Sequence, residues 1–321
     1  MYDFIAIGET TIDAFIKLGS GSHYKIDKEK QQICLPFATK IPYESVAEIP
    51  AVGNASNASV SASRLGLRSA LVANVGKDDN GEKCIEALQK EKVSTEFIKV
   101  NDDQKTNYHY ILWYEEDRTI LQKHSAFHYT LPDIGEPKWI YLTSVGENSH
   151  EFHAEIAEYL ETHPSTKLAF QPGIFQIKLG KEKLAPIYKQ TEIFFCNVEE
   201  AEEILGINTL GIQELLKRMR ELGSEIVVIT DGVKGAYAYD GTDFYTQAPY
   251  RDPKPPFERT GAGDAFASTV VSALALGQDL TTALKWGAIN SMSVVQYVGA
   301  QEGLLSREKI EEYLKKAPSG F

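Results

Sequence analysis

Glu258-Arg259-Thr260-Gly261-Ala262-Gly263-Asp264-Ala265-Phe266-Ala267-Ser268 is the stretch on which the reading of this chain turns. Two glycines bracket one alanine, an aspartate follows at once, and small residues from Ala265 to Leu276 predict a helix. So small a loop lets the backbone come close to a ligand. A helix opening there would aim its unpaired N–H groups and the positive end of its dipole at an anion. Asp264, in the first turn, would set a carboxylate beside that anion. Amides that hold charge on a phosphoryl group in transit, next to a carboxylate that takes a hydroxyl proton, are what phosphorylation of an alcohol needs. Read alone, the stretch is equally a tight loop with a favourable first-turn acid. The rest of the chain has to decide.

The 321 residues are 43% hydrophobic and 24% charged, enough for a large core in one α/β domain with additions, or in two domains. A net charge of −12, spread along the chain, argues against nucleic acid or an anionic membrane as partner. Cys34, Cys84 and Cys196 form no CxxC pair and suit a reducing compartment, with Cys196 read as a small core residue. Met1 to Gly8 lacks the regions of a signal peptide, and no apolar run approaches the ~20 residues of a membrane span. A cytoplasmic location is the expectation.

Tyr2–Ile7 reads as a buried strand, and similar runs return at 70–75, 139–143, 167–170, 193–196 and 226–230. Helical patterns at 58–65, 81–91, 150–161 and 212–222 lie between them, which predicts a mostly parallel sheet covered on both faces. Ligands in such sheets bind beyond the carboxyl ends of the strands. Two segments break the rhythm, 15–50 and 105–122. The second holds Tyr108-His109-Tyr110-Ile111-Leu112-Trp113-Tyr114 and predicts an aromatic β-hairpin. Together they predict a small sheet over one edge of the main domain, a lid or an oligomerisation surface. Asp240-Gly241 predicts a further hairpin.

Four candidates follow strands or open helices. Asp13 could hold a substrate hydroxyl or simply close a turn. Gly53-Asn54-Ala55-Ser56-Asn57 could contact a polyol through its amides, or Asn54 or Ser56 could cap a helix. Asn197 and Glu200 have the spacing of a capping box, which spacing alone favours, and could also hold waters of a magnesium ion. Thr230-Asp231-Gly232 could meet a nucleotide or form a plain turn. His109, His124 and His128 show no zinc spacing.

In that order, these residues resemble the ribokinase-like, PfkB-type carbohydrate kinase family over essentially the whole chain. Thr260-Gly261-Ala262-Gly263-Asp264 matches the family's C-terminal signature, and Gly299-Ala300-Gln301 resembles its ending. The resemblance implies one domain over 1–321, a three-layer α/β sandwich with a mostly parallel central sheet and a small β-sheet lid. It implies ATP-dependent phosphorylation of a substrate alcohol. Asp264 would be the base and Gly261, Ala262 and Gly263 the anion hole. Asn197 and Glu200 would order the shell of Mg2+, and Thr230, Gly232 and the helix near Asn290 would line ATP. Asp13, Gly53, Asn54 and Asn57 would grip a sugar. A nucleoside kinase of the same fold is the alternative, with Tyr108, Tyr110 or Trp113 stacking on a base; a non-catalytic sugar or nucleotide sensor is a third reading.

Three departures stand out. Val52-Gly53 replaces two adjacent glycines, and Phe170-Gln171-Pro172-Gly173 lacks the Asp-x-Asn of many sugar kinases. Glu258-Arg259-Thr260 replaces an acid-Thr-Thr that helps hold a monovalent cation in relatives, which leaves K+ activation open. Edges of the lid could pair two copies into a homodimer.

Overall fold

In the computed structural model, the described residues are 1–19, 24–27, 29–30, 32–114, 117–257, 259–318 and 320–321. β1 (Phe4–Ile7) leads into β2 (Thr11–Leu18), the ribbon β3 (Lys25–Asp27) and β4 (Gln32–Cys34), and the long β5 (Tyr43–Val52). Next come α1 (Asn54–Arg64), β6 (Ser69–Gly76), α2 (Asp79–Lys90) and β7 (Ile98–Asn101). The hairpin β8 (Asn107–Tyr114) and β9 (Asp117–Leu121) precedes β10 (Trp139–Leu142), α3 (His150–Thr162) and β11 (Lys167–Phe170). Short helices α4 (Ile174–Leu179) and α5 (Ala185–Gln190) then lead to β12 (Thr191–Asn197), α6 (Val198–Leu205) and α7 (Ile212–Arg220). The chain ends with β13 (Ile226–Thr230), β14 (Ala236–Tyr239), β15 (Phe244–Gln247), α8 (Ala262–Ala275), α9 (Leu280–Val294) and α10 (Arg307–Lys315).

Nine strands form the main sheet in the order β15-β14-β13-β12-β11-β10-β1-β6-β7. The seven from β13 to β7 are parallel, and the β14–β15 hairpin adds an antiparallel edge. Alternation along β1 shows the layering. Phe4 and Ala6 join one core with α1, α8 and α9, whereas Ile5 and Ile7 join the other with α3, α5 and α7. Strands covered on both faces read as unbroken apolar runs, which is why the strand segments were visible in the sequence.

The second sheet has the order β5-β2-β8-β9. Its β8–β9 pair is the expected antiparallel hairpin, but β2 and β8 run parallel, with Asp13 opposite His109. β2 already begins at Thr11, so Asp13 is not in a loop after the first strand: it is a buried strand residue. α8 likewise begins three residues before the expected start, because Gly261 turns the chain directly into it. Cys84 and Cys196 are buried and Cys34 is exposed. Among the described residues, no helix is long and apolar enough to cross a membrane.

Candidate active site

Gly261 caps α8 in the left-handed region, at φ 78°. A Cβ there would fall 2.4 Å from the Cβ of Ala300, so the turn requires glycine twice over. Whereas Asn197 caps α6 and Asp279 caps α9 with a side chain, the α8 N-cap has none to offer. Its first-turn amides at Ala262, Gly263 and Asp264 therefore end the helix without a capping side chain, in the geometry that favours an anion.

Asp264 is partly buried in that turn. Asn57 Nδ2 donates to its Oδ2 at 2.8 Å, and Asn57 Oδ1 accepts from Gln301 Nε2 at 3.0 Å. Gln301 also donates to the Ala51 carbonyl at 2.6 Å, tying the C-terminal loop to the start of α1. Burial pushes the Asp264 carboxyl up to about 6 and the Glu200 charge adds to it, against the hydrogen bonds from Asn57 and Gln171. The Tyr141 hydroxyl donates to Gln171 Oε1, and burial raises Tyr141 well above the usual phenol range. Gln171 is thus a site residue where the sequence showed only a departure. Gln301 had appeared only as part of a familiar ending.

Asn197 and Glu200 form the capping box. The Glu200 N–H donates to Asn197 Oδ1 at 2.8 Å, and the Asn197 N–H donates to Glu200 Oε2 at 2.9 Å. Burial raises the Glu200 carboxyl above its ordinary range. Glu200 Oε1 makes no hydrogen bond to a described residue, and its charge is felt at Asp264. Two desolvated carboxylates that repel each other suit a cation between them. Among the described residues no group of three acids, histidines or cysteines could hold a metal directly. A magnesium ion would therefore keep waters and lean on nucleotide phosphates, as that ion prefers.

A cleft of about 260 Å³ opens beside Ala262 and Gly263, lined also by Thr230, Gly232, Tyr250 and Met292. Thr230 and Gly232 are thus residues of this cleft. Asn290 is not. It is fully buried, donates to Thr269 Oγ1 at 2.7 Å and accepts from the Leu305 N–H at 2.9 Å, while Ser291 and Met292 face the cleft. Arg259 lines the cleft as well, where the sequence showed it only as part of a departure. Glu258, next to it, lies outside the described residues.

On the lid side, pairing of Thr11 with Val52 brings Gly53 beside the first loop, where a Cβ would lie 3.0 Å from the Glu9 carbonyl. Gly53, at φ 102°, is itself the N-cap of α1, so neither Asn54 nor Ser56 caps that helix. The Asn54 side chain makes no hydrogen bond to a described residue and is partly buried. Tyr110 is half-exposed and its ring meets Tyr108, which donates to Glu48 Oε1 at 2.5 Å. By strand alternation both turn away from the face that carries His109, and Trp113 alone of the three shares it.

The comparisons agree with this architecture. Residues 34–307 match the profile of the pfkB family carbohydrate kinase. A nucleoside kinase of Methanocaldococcus jannaschii is 24% identical over 267 residues, covering 82% of this chain and 85% of that protein. An ATP-dependent 6-phosphofructokinase of Thermoanaerobacterium thermosaccharolyticum is 23% identical over 312 residues, covering 93% and 89%. The solved Arabidopsis thaliana ribokinase complexed with ribose and ATP superposes with a TM-score of 0.80 at 16% identity, covering 98% of this chain and 99% of that one. The chain belongs to the PfkB family of carbohydrate kinases and has the ribokinase-like fold; it is a phosphotransferase.

Proposed function

We propose that this chain works as one kinase domain that transfers the γ-phosphoryl group of ATP to an alcohol of a sugar, with Asp264 as general base. The observation that carries this is the position of Asp264. Its desolvated carboxylate stands in the first turn of a helix without a capping side chain, between the cleft at Thr230 and Gly232 and the Asn57 amide. As the acceptor oxygen forms its bond to phosphorus, its proton passes to Asp264 and the bond to the ADP oxygen breaks, the electron pair leaving with ADP. The amides of Gly261, Ala262 and Gly263 hold charge on the moving group. Asn57 keeps the carboxylate aimed, and Gln301 keeps Asn57 in place. Asn197 and Glu200 would hold waters of Mg2+, which when bound offsets the phosphate charge.

Asp13, Gly53, Asn54 and Asn57 take the acceptor, and the four-stranded sheet serves as its lid. Because Tyr108 and Tyr110 turn away from the face that carries His109, two of three rings that could stack on a base are removed, so a sugar is favoured over a nucleoside. The outer face of the lid exposes Val46, Tyr110 and Leu121, and we assign it to pairing with a second copy of this chain. ADP release from ATP and Mg2+ over pentoses, hexoses and nucleosides tests the reading. Acceptor-dependent release lost in Asp264→Asn is expected; release unaffected by that substitution would remove Asp264 from its role.

A further inference from the structure

Around Asp13 the lid carries a cluster whose other members, Glu9, His109 and His124, have no part in the transfer step described above. His109 Nδ1 lies 3.3 Å from Asp13 Oδ1, across the β2–β8 pair. His124 Nδ1 lies 3.0 Å from Glu9 Oε1, and the two imidazole rings are 5.3 Å apart. Glu9 is well held. Asn107 Nδ2 donates to it at 3.4 Å, besides its contact with His124. Asp13 is not. Its 3.3 Å contact with His109 falls short of hydrogen-bond geometry, and among the described residues Asp13 Oδ1, His109 Nε2 and His124 Nε2 are buried without a hydrogen-bond partner. Asp13 and His109 are each only 9% exposed. Polar atoms this deep are costly to leave unpaired unless something meets them.

We infer that these two histidines, each beside a carboxylate, recognise an uncharged polyhydroxy acceptor and reject its phosphorylated or carboxylated counterparts. The inference rests on the kinase reading for the position of the acceptor. A hydroxyl both donates and accepts, so it can donate to Asp13 Oδ1 and pair with either Nε2 in either protonation state. An anionic oxygen can only accept. It would face a carboxylate that lacks a donor, in a cluster whose two acids are matched at most by two imidazolium charges. No lysine or arginine among the described residues contacts Asp13, Glu9, His109 or His124. Lys17 and Arg118 share this face of the lid, but both align with Trp113, four residues beyond the Asp13–His109 level. Their backbones stand roughly 13 Å away along the strands. Lys17 is moreover paired with Glu44 at 2.6 Å.

The test sets each neutral acceptor beside its phosphate: ribose with ribose 5-phosphate, fructose with fructose 6-phosphate, adenosine with its 5′-monophosphate. ADP release by the full chain gives kcat/KM, and calorimetry gives binding. The neutral member is expected to lead its pair by about 100-fold, the scale of a like-charge juxtaposition. His109→Gln is expected to raise the acceptor KM at least several-fold, with kcat and the ATP KM little changed; Asp13→Asn is expected to shrink the ratio within the pair. A merely structural role would lower both members alike. A phosphate preferred over its neutral partner, or a ratio unmoved by both substitutions, would overturn the inference and leave the kinase intact. Fructose, ribose or adenosine bound over its phosphate with no ADP from any acceptor would instead sink the kinase reading alone. No binding of any neutral acceptor would overturn the inference.

Discussion

Replacing Asp264 with asparagine separates the cost of the candidate base from its use. Burial and the Glu200 charge raise its carboxyl from the ordinary 3.8 to about 6. At ~1.4 kcal/mol per unit, that places the ionised group about 3 kcal/mol above its cost in the unfolded chain. The folded state binds this proton more tightly, so the penalty is absent below the unfolded value and grows as pH rises through the window between 3.8 and about 6. Asparagine keeps the shape and can still accept from Asn57. The ligand-free Asp264→Asn protein is therefore expected to be more stable than wild type by about 3 kcal/mol near pH 7.5 and by about half of that near pH 5. For a chain of this length the larger figure is about 4–5 °C in Tm. Turnover moves the other way, falling roughly a hundred- to ten-thousand-fold with loss of the base. Thermal melts at the two pH values and steady-state rates read both halves. A gain equal at both pH values, or none, would refute the desolvation argument; a turnover near wild type would refute the base.

Three further outcomes are expected. Gly261→Ala puts a Cβ 2.4 Å from Ala300 Cβ at φ 78° and should cost about 2–4 kcal/mol in denaturant melts, with kcat reduced more than nucleotide affinity; wild-type stability would contradict the packing described. Glu200→Gln leaves an oxygen to accept from the Asn197 N–H and so keeps the cap. It should raise the Mg2+ concentration for half-maximal rate several-fold without loss of stability, and an unchanged Mg2+ dependence would reduce the pair to a helix cap. The double substitution Tyr110→Glu with Leu121→Glu, on side chains about half exposed, should convert a dimer to a monomer in sedimentation, and a wild-type monomer would end the lid-pairing proposal.

The sequence was most legible where the physics is local. β11 and β13 lie where their apolar runs placed them, at Lys167–Phe170 and Ile226–Thr230, because strands buried on both faces admit little else. The Gly261–Asp264 turn was legible because few residue types tolerate a left-handed cap against a neighbouring chain. What eluded reading depends on partners distant in sequence. Thr11-Ile12-Asp13 resembles a loop until β8 pairs with it and buries Asp13 against His109. Asn290 sits on α9, which lines the cleft through Ser291 and Met292, but its own amide is taken by Thr269 and Leu305. Gln171 gains its place only through Tyr141 and Asp264, which fold onto it from other elements. The four members of the histidine cluster lie on segments about a hundred residues apart, with no spacing to announce them.

The most direct test follows the phosphorus itself. ATP labelled in its γ-phosphoryl group would be incubated with Mg2+, the full chain and the acceptor that gives the highest ADP release, and the products separated and assigned by phosphorus NMR. The account predicts the label on an acceptor hydroxyl, one for each ADP formed, and none transferred by Asp264→Asn above its small residual rate. Label recovered only as inorganic phosphate, or transferred equally by both proteins, would contradict it.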